Sequence, residues 1–266
     1  MRNRFLLPFA AACVLFSGCS RKDPAAQPPP LTFEARKFEK SLPGCGDTEK
    51  RPEPCVTFRV EWPEVVQSSS LEAKSRINAA LMAALQPQEA PRGFDAEAAQ
   101  TIEDYQHLRQ EFPASSITYF DRRAAEILLS NSAFLCIEIT TEEFHGGAHP
   151  NSRREYLNFR PATGERVDLP QLLLPGAQPK LLALAEKRFR AERALEENQN
   201  LTEAGFTFEN GQFKLSGQWG ADTRGLLFFY NPYDVAPYAL GPTRLHLPFS
   251  ELKAILRPDS GFPLPK

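Results

Sequence analysis

Apolar residues recur at helical spacing up to about residue 115 and at two-fold spacing from Ser116 onward. Residues 56–62 alternate as a strand that Pro63 ends, and Ser69-x-x-Glu72 resembles the capping box that opens a helix. That helix runs to a proline, and a second helix is predicted over residues 95–112. Residues 56–115 therefore predict one strand followed by two helices.

Strand-like alternation dominates the chain from Ser116 onward. Residues 225–230 carry no polar alternation, which predicts a central strand covered on both faces. Asn210-Gly211 predicts a two-residue hairpin, Pro179 opens a longer helix, and Ser250 caps a short C-terminal helix. The other predicted strands are residues 117–120, 124–130, 134–141, 155–160 and 243–249. Strands interrupted by segregated helices predict an α+β fold, with a largely antiparallel sheet and two closely packed subdomains.

The strand over residues 134–141 shows the two-fold pattern most clearly. Leu135, Ile137 and Ile139 are predicted to face a core, with Glu138 and Thr140 on the opposite, polar face. Cys136 lies in the same apolar segment without a histidine nearby in sequence, so we expect a buried free thiol.

The N-terminus predicts an exported protein. Two arginines lead into an apolar run over residues 5–16, too short to span a bilayer, and small residues follow it. The segment resembles a bacterial lipobox in which residues 1–18 are removed and Cys19 is lipidated; an ordinary secretory signal cut nearby is the alternative. Ser20, rather than Asp, resembles the outer-membrane sorting rule. We therefore expect a periplasmic protein, lipid-anchored in the outer membrane of a Gram-negative bacterium.

Charge and cysteine usage further restrict the possible partners and the cellular compartment of the protein. The formal net charge is −2, and no basic stripe runs along the sequence, so we expect no nucleic-acid partner. Cys45 and Cys55 flank a polar loop, and an oxidising compartment favours a disulfide between them.

The sequence FHGGAHPN, residues 144–151, raises the question of a metal site. A zinc hypothesis uses His145 and His149, with Glu142 or Glu143 as a third ligand or base. In helical zinc motifs two histidines at this spacing share one face, but the intervening glycines and the following proline oppose a helix. We therefore expect no bound metal or other cofactor, although a loop could still bring both imidazoles together.

Two other hypotheses for this loop need no metal. In the first, Gly146 and Gly147 adopt backbone conformations that other residues disfavour, and the loop connects two strands as a hairpin. In the second, His145 and His149 lie at a polar tip that contacts a partner, since loops on rigid strands often carry recognition.

The sequence NPYDVAPYALG, residues 231–241, is the second candidate binding segment. Tyr233, Asp234 and Tyr238 are candidates for an aromatic, hydrogen-bonding surface for sugar or protein. The alternative is a proline-fixed loop whose tyrosines pack against a sheet edge. Asp222, Asp234 and Glu251 are available carboxylates, but no spacing singles out the catalytic pair of a glycosidase.

Three stretches together resemble a known family. They are FHGGAHPNSRREYLNFRPATGERVDLPQLL, FTFENGQFKLSGQWG and GLLFFYNPYDVAPYALGPTRLHLPFSELKAIL. Their order is similar to the extracytoplasmic domain shared by the anti-sigma factor RsiV and the peptidoglycan deacetylase PdaC, over about residues 134–256. The resemblance implies a two-part α+β unit outside the cytoplasmic membrane, which binds lysozyme in RsiV and accompanies a separate catalytic domain in PdaC.

The expected organisation has five parts. They are a lipoprotein signal peptide (residues 1–18), a lipidated N-terminus with a proline-rich tether (19–32), an N-terminal α+β subdomain (33–130), a C-terminal RsiV-like α+β domain (131–257) and a tail (258–266) that we expect to be loose. The lipobox and the resemblance together favour a lipid-anchored binding or sensor module at the cell envelope, rather than an enzyme, with a lysozyme-like protein or peptidoglycan as partner. A metal-dependent envelope hydrolase that uses His145 and His149 is the alternative.

Replacing Cys19 tests the predicted anchor. In a Gram-negative host fed a clickable palmitate, we expect Cys19→Ser to abolish lipid labelling, because the sulfur that carries the acyl chains is gone. Cys13→Ser, inside the predicted signal, is the matched control and keeps its label. Labelling of the Cys19→Ser protein would contradict the lipobox interpretation.

Overall fold

The computed structural model describes residues 31–45, 54–87 and 92–264. The predicted signal peptide, the lipidation site Cys19 and most of the tether lie outside this range. The elements are β1 (Thr32–Ser41), β2 (Val56–Gln67), α1 (Leu71–Leu85), α2 (Phe94–Glu111), β3 (Tyr119–Ser130), β4 (Leu135–Phe144), β5 (Asn151–Phe159), α3 (Gln178–Glu192), β6 (Trp219–Ala221), β7 (Gly225–Tyr230), β8 (Thr243–Pro248) and α4 (Phe249–Leu252).

The strands form two sheets, which confirms the predicted α+β class. The first sheet has the order β1-β2-β3-β4-β5, and only β2 and β3 run parallel within it, because α1 and α2 cross over between them. The second sheet, β6-β7-β8, is antiparallel throughout. The central strand β7 is buried at every residue, as predicted for residues 225–230.

Strand β4 has a core on each of its faces. Leu135 and Ile137 pack with α1 in one cluster, whereas Cys136 packs with the second sheet and α3 in the other. Glu138 was expected on a solvent-facing side but is only 8% exposed. The expectation was wrong because the second sheet covers that side, a contact that the alternation within one strand does not reveal.

Strand β3 was predicted as two strands and is one. Asp121 and Arg123, between the two predicted strands, are polar but buried, and their side chains pair at 2.7 Å. Arg123 also contacts Glu97 of α2, with Nη1 2.7 Å from Oε2. The charged residues that interrupt the apolar pattern therefore satisfy one another beneath α2, and the strand continues through them.

Several elements begin or end at residues other than the predicted ones, because tertiary contacts determine these positions. Strand β2 continues through Pro63, because its pairing with β3 stops at Glu61 and one edge is then without a strand partner. The cap of α1 is Ser70, not Ser69, and its hydroxyl accepts from the Ala73 amide. Strand β1 was not predicted, because charged side chains on this edge strand conceal its alternation.

Three C-terminal expectations were wrong. Asn210 and Gly211 adopt the expected positive φ values of 56° and 66°, but their flanks form no strands because three phenylalanines there pack around Phe189 instead. Helix α4 is a single turn that begins at Phe249, so Ser250 is not its cap. The described part of the tail is packed, with the Phe262 ring 4.7 Å from that of Phe134.

The expected boundary between residues 130 and 131 falls between β3 and β4, which are neighbours in the first sheet. Cys45 and Cys55 form the predicted disulfide, with Cα atoms 5.5 Å apart. Within the described part of the chain, no helix has the length and apolar composition needed to cross a membrane.

Removing Glu97 tests the buried charge cluster. We expect Glu97→Ala to lower the free energy of unfolding by about 3 kcal/mol, because the buried guanidinium of Arg123 loses one of its two carboxylates. Urea unfolding followed by circular dichroism measures the change. Glu103→Ala on the exposed side of α2 is the control and should leave the free energy nearly unchanged. Equal effects of the two substitutions would contradict this account.

Candidate functional site

Two loops distant in sequence meet beside the outer edge of β5. Residues 145–150 connect β4 to β5 as a hairpin, as expected, and Gly146 and Gly147 have φ values of 89° and 111° there. The second loop, residues 231–241, follows β7 and leads into β8. Each loop begins or ends on a strand that is anchored in a core, so the sheets fix where the loops meet.

The loops bring three rings together. The His149 imidazole stacks on the Tyr238 ring with centroids 3.5 Å apart and planes 10° apart. The Tyr233 ring lies 6.2 Å from His149 and 5.8 Å from Tyr238. We call His149, Tyr233 and Tyr238 the aromatic surface.

Hydrogen bonds lock the imidazole between the loops. His149 Nδ1 lies 3.0 Å from the Pro150 carbonyl oxygen, which can only accept, so Nδ1 carries the hydrogen. In the neutral ring Nε2 then accepts from the Tyr233 hydroxyl at 3.1 Å. The Tyr238 hydroxyl donates to the same Pro150 oxygen at 3.3 Å. Both imidazole nitrogens therefore have partners within the protein.

Tyr233 projects from a strained backbone. Its φ is 69°, a value that residues other than glycine, asparagine and aspartate rarely adopt, and the residue is 62% exposed. The turn is held by the Asn231 amide, which donates to Asp234 Oδ2 at 2.7 Å, and by the Asp234 amide, which donates to the Asn231 carbonyl. Asp234 thus supports the turn that presents the ring to solvent.

The two histidines of the loop have different neighbours. The His145 ring lies 5.2 Å from the ring of Tyr119 on β3, and not in the aromatic surface. In the described ranges, no group of three or more histidine, cysteine or acidic side chains is placed to hold a metal ion. The geometry therefore offers the hydrolase hypothesis no observation in its favour.

The other candidate carboxylates serve as structural acceptors. Asp222 Oδ1 accepts from the backbone amides of Arg224 and Gly225 at 2.7 and 2.9 Å, and lies 3.3 Å from His246 Nε2. Glu251 pairs with Arg188 at 3.1 Å. Burial alone would raise the pKa of Asp222, but these hydrogen bonds outweigh it and lower the pKa.

Cys136 is the buried free thiol that the sequence predicted. Burial raises the pKa of this thiol to about 12, so the sulfur stays protonated and is not a nucleophile at neutral pH. Its Sγ instead accepts from the Ala221 amide of the second sheet at 3.3 Å.

Two residues that sequence reasoning missed hold the second loop. The Asn231 carboxamide pairs with the backbone of Arg154 on β5. Arg193, just after α3, donates to the carbonyls of Leu240 and Gly241 at 2.7 and 2.8 Å. The only sequence signal was the position of Asn231 directly after a fully apolar strand, because both contacts join residues far apart in the chain.

Comparison with known proteins finds one family model that matches part of the chain. Residues 171–250 match DUF3298. That family is described as "Protein of unknown function (DUF3298)". The DUF3298 segment, residues 171–250, contains the second sheet and the loop with Tyr233 and Tyr238, whereas His149 lies outside it. The aromatic surface therefore forms where the DUF3298 segment meets the first sheet.

Two crystal structures share the fold. A member of the DUF3298 family from Bacteroides fragilis NCTC 9343 is 20% identical, with a TM-score of 0.64 over 86% of this chain and 94% of that chain. A DUF3298 family protein from Pseudomonas aeruginosa PAO1 is 19% identical, with a TM-score of 0.62 over 88% of this chain and 98% of that one. At these identities the likeness shows the fold alone. No curated protein matches the chain.

The Asp222 environment predicts a pH dependence with a defined sign. A carboxyl whose pKa is lowered by folding stabilises the protein above its unfolded pKa of about 3.9, and this contribution is lost as the pH falls through the folded pKa. The stability difference between wild type and Asp222→Asn should therefore be largest near neutral pH and shrink below about pH 4. Urea unfolding at several pH values measures it, and a difference that grows on acidification would contradict the assignment.

Proposed function

We propose that this protein is a lipid-anchored, periplasmic binding or sensor module that acts at the cell envelope, and that the aromatic surface is its contact site. The proposal includes the RsiV/PdaC-like assignment and the outer-membrane anchor. A lysozyme-like protein and peptidoglycan are the two partners proposed. The observation that carries the proposal is the exposed, strained Tyr233 beside the stacked pair His149 and Tyr238.

The backbone conformation of Tyr233 supports a role in binding. Holding a residue other than glycine at positive φ costs on the order of 1 kcal/mol, and strain of this kind clusters at ligand sites. Here the strained conformation leaves Tyr233 62% exposed, so apart from the hydroxyl bond to His149 the ring buries little area to offset its cost. Contact with a partner provides a reason for the arrangement that the packing of the free protein lacks.

The chemistry of the aromatic surface suits a polar macromolecule. Tyrosine offers an apolar ring together with a hydroxyl, and rings of this kind supply much of the binding energy at interfaces. Leu240, 43% exposed, adds an apolar side chain on the same loop, and Asp234 adds a carboxylate. Sugars and protein side chains both present apolar faces with hydrogen-bonding edges.

The expected anchor is compatible with action at the envelope. Residues 19–32 are rich in proline, and an extended linker of this length spans about 40 Å. A folded unit on such a tether would sample the space close to the membrane, where the peptidoglycan layer and incoming proteins are met.

Retention on immobilised partners tests the proposal. The soluble chain from Arg21 is applied to immobilised lysozyme and to purified sacculi, as wild type and as Tyr233→Ala and Tyr238→Ala. We expect wild type to be retained by one of the two, and each alanine variant to bind at least tenfold more weakly, because a buried aromatic contact is lost.

Two further variants control the measurement. Leu71→Ala removes an exposed side chain from α1. This helix packs on the face of the first sheet opposite to the second sheet, so the substitution should not change binding. Tyr233→Phe keeps the ring and loses only the hydroxyl that faces His149, so it should retain most of the affinity. Failure of both matrices to retain wild type would exclude the named partners, and unchanged binding by both alanine variants would exclude the aromatic surface.

A further inference from the structure

One side chain joins the second loop to the backbone of β5. Asn231 Oδ1 accepts from the Arg154 amide at 2.6 Å, and Asn231 Nδ2 donates to the Arg154 carbonyl at 3.0 Å. The carboxamide thus pairs with one residue of β5 as a peptide group of a neighbouring strand would.

The pairing covers part of an edge strand. Strand β5 is the last strand of its sheet, with β4 on one side; near its end Asn158 accepts from the Val167 amide and Phe159 bridges Arg166, and Arg154 lies before that stretch. In antiparallel pairing a residue directs its amide and carbonyl to the same side, so both groups of Arg154 point outward to Asn231 and not to Thr140 opposite. Without Asn231 these two half-buried groups would lose their protein partner.

Arg154 is a firm anchor for this contact. Its guanidinium lies 4.7 Å from the centre of the Phe229 ring in β7, and its Nε lies 3.6 Å from Glu138 Oε1 in β4. The side chain is therefore held between the two sheets while its backbone holds the loop.

We propose that Asn231 is the positioning residue of the aromatic surface. The loop that starts at Asn231 carries Tyr233 and Tyr238, and Arg154 follows His149 along the hairpin into β5. Fixing Asn231 to Arg154 therefore sets the register between the two loops. The importance of this register for binding rests on the proposed function; the geometry itself does not.

The other contacts between the loops constrain their register less strongly. Among the described residues, two further hydrogen bonds join them, from the hydroxyls of Tyr233 and Tyr238, and both are exposed to solvent. Arg193 holds the far end of the loop, but it belongs to the same DUF3298 segment and makes no link to the hairpin through these bonds. Asn231 supplies the part-buried, two-point link.

Asn78 provides a matched control elsewhere in the fold. Its carboxamide makes the same two-point contact with the backbone of Val65, at 2.9 and 3.0 Å, and is also part-buried. That contact joins α1 to β2, in the core on the other face of the first sheet. Asn78→Ala and Asn231→Ala therefore remove the same two-point hydrogen bonding between a carboxamide and the backbone, at two different places in the fold.

The test combines nuclear magnetic resonance with binding. The His149 ring protons, stacked on Tyr238, should show an upfield ring-current shift in the wild type, and we expect Asn231→Ala to reduce this shift by more than half. Asn78→Ala should lower the unfolding midpoint similarly but leave the His149 shift unchanged. Asn231→Asp keeps the acceptor and loses the donor, so its shift should lie between those of wild type and alanine; it also serves if Asn231→Ala does not fold.

The outcomes separate this inference from the proposed function. An unchanged His149 shift in Asn231→Ala, or an equal loss in Asn78→Ala, would overturn the positioning role whether or not any partner binds. Where wild type binds lysozyme or sacculi, Asn231→Ala should weaken binding at least tenfold. A lost shift with unchanged binding would leave the positioning role intact and overturn the aromatic surface as the contact site.

Discussion

Burial of β4 on both faces is the constraint on which the rest of the structure depends. The residues that point to one side pack under α1, and those that point to the other side pack against the second sheet and α3. Because removal of apolar area from water is the main favourable term in folding, one strand stabilises two cores at once. The second core forms only if the DUF3298 segment lies on this sheet, so the two parts of the chain share a structural element.

This shared strand also determines where the aromatic surface lies. The hairpin that carries His149 is the continuation of β4 beyond its doubly covered part, and the loop that carries Tyr238 continues from β7 on the other sheet. The packing of the sheets thus brings the two loop ends near each other, and Asn231 fixes the final register. Rigid strands beneath the loops explain how two short segments hold a stacked pair of rings.

Sequence reasoning succeeded where the signal was local. The apolar strand β7, the hairpin with its two glycines and the disulfide each follow from periodicity, backbone preference or redox compartment. It failed where contacts between residues far apart in the sequence determine the structure. Asp121 and Arg123 broke a strand pattern because their partner Glu97 lies on another element, and Glu138 was misplaced because a second sheet covers it. The stacking of His149 on Tyr238 had no local signal at all, although both residues were candidates.

The outer edge of β5, on the side away from β4, has one more consequence. An uncovered sheet edge is a template for pairing with another chain, and proteins block such edges with charges or with covering loops. Here β1, at the opposite end of the sheet, carries charged side chains along its length, whereas the outer edge of β5 is covered by Asn231 at Arg154 and by residues 166 and 167 near its end. The loop that we assign to recognition therefore also covers part of an edge strand, and weakening it would expose that part to pairing with another chain.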